Sequence, residues 1–342
     1  MNKTNITSLS RRIFIKHSGL VALSMVIPFK LEAFFKDSIM VKYDSYDVII
    51  IGGSYSGLAA GMTLGRALRK VLVIDAGKPC NRQTPHSHNF LTHDGETPKE
   101  IQTIARHQVE KYKTIEFRED VAVKGTRTEH GFEIETTLGK VFAAKKLIFA
   151  TGILDSLPDI PGFSDCWGIS VLHCPYCHGY EVKHRKTGIL GNGETGFEFA
   201  TLISNWTPDL TLYTNGESKL TVGERNRLEA HSIPVVEDEI ERLEHTNGVL
   251  KEIIFKNDNR VALTALYSRR PFTQHSDIPK QLECNFNTEG YILTNPMQKT
   301  TVPGVFACGD NSTRMRTVAN AISMGTTAGI MVNKELVDQR FQ

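Results

Sequence analysis

Two cysteines and a histidine lie close together in the middle of the chain. In the segment SVLHCPYCHGYEV, residues 170–182, Cys174 and Cys177 are separated by two residues and His178 follows directly. This spacing suits four kinds of site: a redox-active dithiol, a covalent haem attachment site, half of a zinc site, or a cysteine-containing loop without chemistry. The segment alone does not decide between them, so the elements around it must.

A nucleotide-binding unit precedes the cysteine pair. The letters YDVIIIGGSYSGLAAGMTLGRALRKVLVIDAG predict a buried strand over 47–51, a glycine-rich turn, a helix over 56–68 and a second strand over 71–74. A glycine-rich turn between a strand and a helix is the context in which a dinucleotide is bound. We therefore predict a dinucleotide-binding α/β unit here.

Four residues of this unit have predicted roles. Gly52 permits the tight turn, and Gly57 lets the helix pack on the strand, with the N–H groups of the helix N-terminus free for a pyrophosphate. Asp75, at the end of the second strand, is placed to accept a hydrogen bond from a ribose hydroxyl. Ser54 stands where the middle glycine is usual, which crowds the approach of the backbone to the phosphates.

A second unit follows the cysteine pair. The letters KTGILGNGETGFEFATLISN contain a strand, a complete G-x-G-x-x-G formed by Gly191, Gly193 and Gly196, and a helix, and a further strand covers 210–213. At the end of this strand there is neither an acid for a ribose 2′-hydroxyl nor an arginine cluster for a 2′-phosphate, and Glu217 and Lys219 come too late in the chain. We predict a nicotinamide-type fold that lacks the usual recognition of adenosine.

The chain then returns to the first unit. The first crossing to the second unit is the proline-broken loop that follows the strand ending at Ala150-Thr151-Gly152. The crossing back covers 267–279. The segment PGVFACGD then ends at Gly309-Asp310, before a helix rich in small residues. These crossings predict an α/β protein with two Rossmann-like, three-layer nucleotide-binding domains, the second inserted into the first.

The composition is that of a soluble globular protein. The 342 residues are 40% hydrophobic and 23% charged. The net charge is +2 without a basic block, which argues against nucleic-acid binding. Four of the six cysteines, Cys80, Cys166, Cys284 and Cys308, are isolated, so a disulfide-stapled fold is excluded.

The first forty residues predict export. Arg11 and Arg12 stand in an S-R-R-x-F-x-K run, and the apolar stretch 19–29 that follows is shorter than the roughly 20 residues that span a bilayer. This layout resembles a twin-arginine signal, which directs folded proteins out of the bacterial cytoplasm. We expect the periplasm or cell envelope as the location; a cytoplasmic protein with a basic extension is the alternative.

The surroundings favour one of the four sites for the cysteine pair. Haem attachment needs an unfolded chain, whereas the signal is typical of folded export. Zinc needs two further ligands, and His173 and His178 are too close in sequence to complete a tetrahedral site. The CPYC letters also occur in glutaredoxins, but those small domains lack the two glycine fingerprints. The sequence therefore predicts a redox-active dithiol between two nucleotide units.

Taken in order, these motifs resemble a known family. The first fingerprint, the Ala-Thr-Gly crossing, a C-x-x-C ahead of the second fingerprint, and PGVFACGD are similar to the low-molecular-weight thioredoxin reductases. These are flavoproteins in which a second nucleotide domain is inserted into the FAD domain, and the resemblance covers about 46–332. After the export signal and linker (1–40), it implies the FAD-binding domain in two parts (44–153 and 276–342) and an inserted NAD(P)-binding-like domain with the C-x-x-C (154–275).

The resemblance also implies roles for individual residues. Cys177 would lie against the flavin and Cys174 would face the substrate. Gly191, Gly193 and Gly196 would form the nucleotide loop of the inserted domain. The positions implied to contact FAD are Gly52, Ser54, Gly57, Asp75, Arg82, Asn89, Val121, Thr151, Asp310, Thr317 and Val318. Of these, Asp310 would bind the ribityl chain, and the backbone N–H groups of Thr317 and Val318 would lie near the flavin ring.

Three departures separate this chain from the ordinary reductases. His178 replaces an aspartate, Thr214-Asn215-Gly216 replaces a His-Arg-Arg cluster for the NADPH phosphate, and SRRPF replaces a Gly-x-x-Pro turn. CPYCHGYE together with RQTPHSHNFLTHDG, residues 82–95, is more similar to a subgroup of the fold. Its characterised members are dithiol oxidases that close disulfides in small natural products and pass electrons to oxygen without NADPH.

We therefore expect an FAD-dependent dithiol/disulfide oxidoreductase that works in the oxidising direction. His178, with an ordinary pKa near 6.5, is expected to take a proton from the incoming thiol or to stabilise the Cys177 thiolate. The expected assembly is a homodimer that acts on a small dithiol or a thioredoxin-like protein, with oxygen as the candidate acceptor.

The alternative is an NAD(P)H-dependent thioredoxin-disulfide reductase in which Lys219, Arg225 or Arg227 binds the nucleotide. No metal site is expected. The histidine-rich loop with His86, His88 and His93 could suggest metal, but loop histidines that line the flavin or face water are the favoured interpretation.

Overall fold

The computed structural model describes residues 45–342, and the predicted export signal lies outside this range. Within it, no helix combines the length and apolarity needed to cross a membrane. The strands are β1 (Ser45–Ile51), β2 (Val71–Asp75), β3 (Ile115–Glu119), β4 (Ala122–Thr128), β5 (Gly131–Thr136), β6 (Val141–Phe149), β7 (Ile153–Asp155), β8 (Val171–Leu172), β9 (Thr187–Leu190), β10 (Leu210–Tyr213), β11 (Val235–Val236), β12 (Ile240–Thr246), β13 (Val249–Phe255), β14 (Arg260–Ala262), β15 (Ala265–Tyr267), β16 (Phe272–Gln274) and β17 (Val305–Ala307). The helices are α1 (Tyr55–Arg66), α2 (Pro98–Glu110), α3 (Phe163–Cys166), α4 (Pro175–His178), α5 (Gly193–Ile203), α6 (Val222–Ala230), α7 (Ile278–Gln281) and α8 (Val318–Asp338).

The first sheet is built from both ends of the described chain. Strand β1 pairs in parallel with β2 and β6, β3 extends the sheet beyond β2, and β5 and β4 continue it in antiparallel fashion. Strand β17 returns near the end of the chain and pairs in parallel with β6. Because β17 follows the whole second unit, this sheet encloses that unit as an insertion.

The inserted domain has its own sheet. Its strand order is β11-β10-β9-β15-β8, and each strand is parallel to its neighbours. Strands β9 and β10, which precede and follow α5 in the chain, lie next to each other inside the sheet. A three-stranded antiparallel sheet, β12-β13-β14, shares a core with one face through Phe163, Leu243 and Leu266, while α5 packs on the other face through Phe199. This confirms the predicted α/β class with two nucleotide-binding folds.

The two crossings between the domains lie side by side. Strand β7 leaves the first sheet, β16 comes back to it, and the two pair in antiparallel fashion, with Asp155 opposite Phe272. The chain therefore enters and leaves the insertion at one place, beside the carboxyl end of β6.

Helices α1 and α8 pack against each other through small residues. A Cβ atom on Gly325 of α8 would lie 2.0 Å from the Ser56 carbonyl oxygen of α1, so only glycine permits this approach. Helix α1 ends before its predicted limit at residue 68, because Leu68 takes a left-handed conformation with φ 58° as the chain turns toward β2. The close packing places the first turns of both helices at the same edge of the sheet.

Candidate functional site

A cavity of about 330 Å³ opens at the carboxyl edge of the first sheet. Its walls include the first glycine loop, the N-terminus of α8, and residues of the inserted domain such as Trp167, Gly168 and His173. The predicted FAD residues that line it are Gly52, Ser54, Asp75, Val121, Thr151, Asp310, Thr317 and Val318. Three others stand elsewhere: Gly57 lies beneath the loop, and Arg82 and Asn89 are exposed side chains outside the lining.

The first glycine loop owes its shape to close backbone contacts. Gly52 has φ 104°, and a Cβ atom there would lie 2.2 Å from the Ala150 carbonyl oxygen. A Cβ atom on Gly57 would lie 1.9 Å from the Gly52 carbonyl oxygen, so the helix can start this close to the strand only with glycine. The first turn of α1 carries uncharged side chains, and the Ser54 hydroxyl leaves its N–H groups uncapped. This leaves an open set of donors for a phosphate group.

Two of the aspartates that line the cavity have predicted roles. Asp75 accepts a hydrogen bond from the Gly53 N–H at 3.0 Å, which holds its side chain against the glycine loop. Asp310 is half-buried, and its partial burial raises the pKa of its carboxyl group despite the nearby Arg316. Carboxyl groups at these positions suit the hydroxyl groups of a ribose and of a sugar-like chain.

An ion pair that the sequence did not predict supports the second carboxylate. Arg316 forms a bidentate pair with Asp155, both bonds 2.8 Å long, and its Nε lies 3.5 Å from Asp310 Oδ2. Asp155 follows the Ala-Thr-Gly crossing and Arg316 precedes Thr317, so both flank predicted site residues. That adjacency was the available signal, but their pairing depends on the tertiary fold.

The cavity also contains buried polar atoms that need partners. Gln83 Oε1 and Asp120 Oδ2 are buried without a hydrogen-bond partner among residues 45–342, and both residues line the cavity. Buried polar atoms are normally paired, so a polar ligand is the simplest way to satisfy them. With the donors of the glycine loop and the two carboxylates, the residues present fit the phosphates and hydroxyl groups of FAD.

The cysteine pair directly follows a residue that lines this cavity. Cys174 and Cys177 form a disulfide, with Cα atoms 5.3 Å apart. Cys174 stands just before the short helix α4, and the Cys177 N–H donates to Cys174 Sγ at 3.2 Å. His173, directly before the pair, lines the cavity. The disulfide is thus placed next to the site that fits FAD.

His178 does not titrate near neutral pH as expected. Burial, and then the proximity of His88, lower the pKa of His178 to about 4. Burial, and then the positive charge of Arg316, lower the pKa of His173 to about 3. Both imidazoles are therefore neutral at pH 7. His178 can accept a proton there, but it brings no standing positive charge to stabilise a thiolate.

Comparisons with known proteins agree with this arrangement. Residues 46–325 match the model of the pyridine nucleotide-disulphide oxidoreductases. The chain belongs to that family. It is 29% identical over 303 residues to the thioredoxin reductase aclD of Aspergillus oryzae, covering 85% of this chain and 96% of that protein. It is 30% identical over 310 residues to the thioredoxin reductase tcpT of Claviceps purpurea, covering 85% and 94%.

A solved structure gives the same result. The oxidoreductase from Agrobacterium tumefaciens superimposes with a TM-score of 0.80 at 34% identity, covering 86% of this chain and 99% of that one. The family predicted from the ordered motifs is therefore confirmed. This pyridine nucleotide-disulphide oxidoreductase is a flavin-dependent enzyme that acts on sulfur groups, with FAD as its cofactor.

In this oxidoreductase, the side chain of Asn192 in the second glycine loop joins the loop to the segment after β10 by hydrogen bonds. Asn192 Oδ1 accepts from the Gly193 and Lys219 N–H groups at 2.8 and 2.7 Å, and Asn192 Nδ2 donates to the Glu217 carbonyl oxygen at 2.9 Å. These bonds tie the loop to the segment after β10. Glu194 adds a carboxylate in the first turn of α5, where a pyrophosphate would otherwise meet the positive end of the helix. The three glycines of this loop, Gly191, Gly193 and Gly196, lie where β9 leads into α5, and Gly193 has φ 56°.

Two arginine side chains near this loop have other partners. Arg225 pairs with Glu237, and the Arg227 guanidinium lies 4.7 Å from the centre of the Phe197 ring. Thr214, at the end of β10, is buried and donates to the Gly216 carbonyl oxygen at 2.6 Å. The position that usually selects the adenosine of a nucleotide is therefore turned inward.

The three histidines of the loop after β2 each have a separate partner. His86 Nδ1 donates to the Gly95 carbonyl oxygen at 2.9 Å, and His93 Nδ1 lies 2.9 Å from a Glu96 carboxylate oxygen. His88 alone points to the inserted domain, with Nε2 3.6 Å from Glu181 Oε1. Within residues 45–342, they do not join a cluster of three groups able to hold a metal ion.

Proposed function

We propose that this enzyme oxidises dithiols to disulfides, with the Cys174–Cys177 pair as the redox centre between substrate and FAD. The observation that carries the proposal is the position of this disulfide directly beside His173, which lines the FAD-fitting cavity. A disulfide in that position can receive electrons from a thiol on one side and release them toward the cavity on the other.

The cysteine chemistry is thiol–disulfide exchange. A substrate thiolate attacks Cys174 Sγ, which forms a mixed disulfide and breaks the Cys174–Cys177 bond, and the electron pair goes to Cys177. The second substrate thiolate then attacks the substrate sulfur of the mixed disulfide, and Cys174 leaves as a thiolate. The substrate has become a disulfide and the cysteine pair has gained two electrons. FAD supplies the acceptor for those two electrons when it is bound.

Other residues of the site stabilise the thiolate and accept the proton during the exchange. The Cys177 N–H, 3.2 Å from Cys174 Sγ, is placed to stabilise a thiolate on Cys174 as it leaves. His178, neutral at pH 7, takes the proton of an incoming thiol. Pro175 at the start of α4 fixes the backbone between the two cysteines.

The oxidising direction is supported by the second glycine loop. The Asn192 bridge and the Glu194 carboxylate oppose binding of an NAD(P)H pyrophosphate, and the buried Thr214 offers no adenosine contact. The letters CPYCHGYE support the same direction, since they resemble the dithiol oxidases. We therefore propose a small dithiol as substrate and oxygen as the final acceptor.

A second candidate is an NAD(P)H-dependent reductase of a thioredoxin-like protein. Two observations favour it: the glycine loop of the inserted domain retains its fold, and the relatives from Aspergillus oryzae and Claviceps purpurea are thioredoxin reductases by name. We also propose that the enzyme is a homodimer exported by its twin-arginine-like segment, which would place it where nicotinamide nucleotides are scarce.

Aerobic turnover with dithiothreitol tests the proposed chemistry. We expect the wild-type enzyme to form one hydrogen peroxide for each dithiothreitol oxidised, which is one peroxide for every two thiol groups consumed. Cys174→Ser and Cys177→Ser should each abolish both while keeping the yellow colour of bound FAD, since neither variant can form the disulfide. Cys284→Ser, at a buried cysteine far along the chain, is the matched control and should turn over normally. Peroxide formation that survives both active-site substitutions would overturn the proposal.

A further inference from the structure

A buried amide contacts one of the residues that line the cavity. Asn311 follows Asp310 and is completely buried, but it does not line the cavity itself. Its Nδ2 donates to the Phe149 carbonyl oxygen at 2.9 Å and to Thr151 Oγ1 at 3.2 Å. Phe149 is the last residue of β6, so the amide connects the end of this strand to the loop after β17.

The chemistry of these partners fixes the orientation of the amide. A carbonyl oxygen only accepts, so the group of Asn311 that faces Phe149 must be the NH₂ group. The second proton of that group goes to Thr151 Oγ1, and Asn311 is the only hydrogen-bond partner of this hydroxyl group among residues 45–342. A hydroxyl group that accepts in this way still has one proton to give. Thr151 therefore keeps a free donor at the cavity, which it lines.

The backbone of Asn311 is fixed by other elements. Its carbonyl oxygen accepts from the Ile292 N–H at 2.9 Å and from Gln274 Nε2 at 3.0 Å. Gln274 belongs to β16, the strand that returns from the inserted domain, and it pairs with Ile153 of β7. These bonds hold Asn311 in place without its side chain, which leaves the side chain free to act on Thr151.

We propose that Asn311 is a positioning residue of the FAD site, which turns the Thr151 hydroxyl group toward the cofactor as a hydrogen-bond donor. Asn311 acts through Thr151 and does not touch FAD. The cofactor offers acceptors of several kinds, among them its phosphate oxygens, its ribityl hydroxyl groups and the carbonyl oxygens of the flavin ring. This role is needed whichever way electrons flow, so it does not depend on the dithiol oxidation proposed above.

Packing alone does not account for an amide at this position. The Phe149 carbonyl oxygen also accepts from the Cys308 N–H at 2.9 Å, so it is satisfied without Asn311. Leucine would fill a similar volume without burying an amide, and a buried polar group is costly unless its hydrogen bonds are made. The bond that only the amide provides is the one to Thr151.

The affinity for FAD tests this role. Serial dilution of the holoenzyme, followed by the fluorescence of released FAD, gives the dissociation constant, and thermal unfolding of the same samples gives their stability. Thr151→Val removes the donor and should weaken FAD binding about fivefold, whereas Thr151→Ser keeps it and should bind within about twofold of wild type. Asn311→Leu should weaken binding about tenfold, because the released Thr151 hydroxyl group can rotate away from the cofactor.

The combined variant separates a positioning role from a structural one. If Asn311 acts through Thr151, Asn311→Leu with Thr151→Val should lose about tenfold, as Asn311→Leu does alone, and not the roughly fiftyfold of independent effects. Independent losses would overturn the proposal, and so would a wild-type affinity in Asn311→Leu. If Asn311→Leu does not fold, the Thr151 variants decide, since equal affinity in Thr151→Val and Thr151→Ser would also overturn it.

Gln298→Met is the matched control. Gln298 is a second buried amide in the last part of the FAD-binding domain, but it does not line the cavity. This variant should keep the wild-type affinity for FAD even where its melting temperature falls. A loss of affinity as large as that of Asn311→Leu would show that any buried amide of this region has the same effect, and would contradict a specific role of Asn311.

Discussion

The two glycine loops of this chain have related letter patterns but different surroundings. In the first loop, the N–H groups at the start of α1 are uncapped and open into a cavity of about 330 Å³. In the second loop, Asn192 bridges to Lys219, and Glu194 adds a negative charge to the first turn of α5. At the strand ends, Asp75 faces the first loop, whereas the buried Thr214 bonds its own backbone.

The difference shows what a glycine fingerprint does and does not specify. Gly57 and Gly196 both allow a helix to start close to a strand, since a Cβ atom would lie 1.9 Å and 2.9 Å from the backbone of the first loop glycine in each case. That requirement concerns packing and holds with or without a ligand. Binding depends in addition on free N–H groups and an acid at the strand end, and only the first loop has both.

The most severe change should be a side chain at the turn of the first loop. In Gly52→Ala, the Cβ atom would lie 2.2 Å from the Ala150 carbonyl oxygen at φ 104°, so the loop must move. We expect the purified variant to be almost free of flavin, as measured by the ratio of flavin to protein absorbance.

The matched control is Gly193→Ala in the second loop. Gly193 also has positive φ, at 56°, but the nearest side-chain contact of its Cβ atom would be 3.7 Å away. This variant should lose about 1 kcal/mol of stability and keep its flavin. Equal loss of flavin in both variants would contradict the assignment of FAD to the first loop.

A smaller effect is expected from the acid at the first strand end. Asp75→Asn keeps the shape but weakens a charge-assisted hydrogen bond, so FAD should bind about tenfold more weakly, equivalent to roughly 1.5 kcal/mol. Titration of the flavin-free protein with FAD measures this. Thr214→Val, at the corresponding strand end of the inserted domain, should leave the FAD affinity unchanged; a weaker affinity there would show that the two strand ends are coupled.

The smallest effect should follow from opening the second loop. Asn192→Gly combined with Glu194→Asn removes the bridge and the negative charge, which should improve NADPH binding only about threefold. Bleaching of the flavin by NADPH should remain slow, because Thr214 and its neighbours still offer no adenosine contact. Fast bleaching by NADPH in this double variant would mean that adenosine recognition lies elsewhere in the chain.

The sequence predicted the local parts of this architecture well. Strand β1, the glycine turn and α1 follow from a continuous pattern, and the helix rich in small residues after Asp310 is present as α8. Such features depend on neighbouring letters and on backbone sterics, which short segments contain in full.

Features that depend on distant residues could not be predicted in the same way. The Arg316–Asp155 pair joins residues 161 positions apart, and Asn192 reaches a loop 27 residues away. The pKa of His178 was expected near its ordinary value, because the burial that lowers it comes from the fold around it. The contact of His88 with the inserted domain likewise exists only once the two domains are in place.

The central claim is that electrons enter through the cysteine pair and not through the second glycine loop. Anaerobic rapid mixing of the purified yellow enzyme with dithiothreitol, NADH or NADPH tests it directly by the bleaching of the flavin. We predict rapid bleaching by dithiothreitol, little bleaching by either nucleotide, and return of the colour with formation of peroxide when air is admitted. Rapid bleaching by NADPH or NADH would contradict it and establish the reductase in its place.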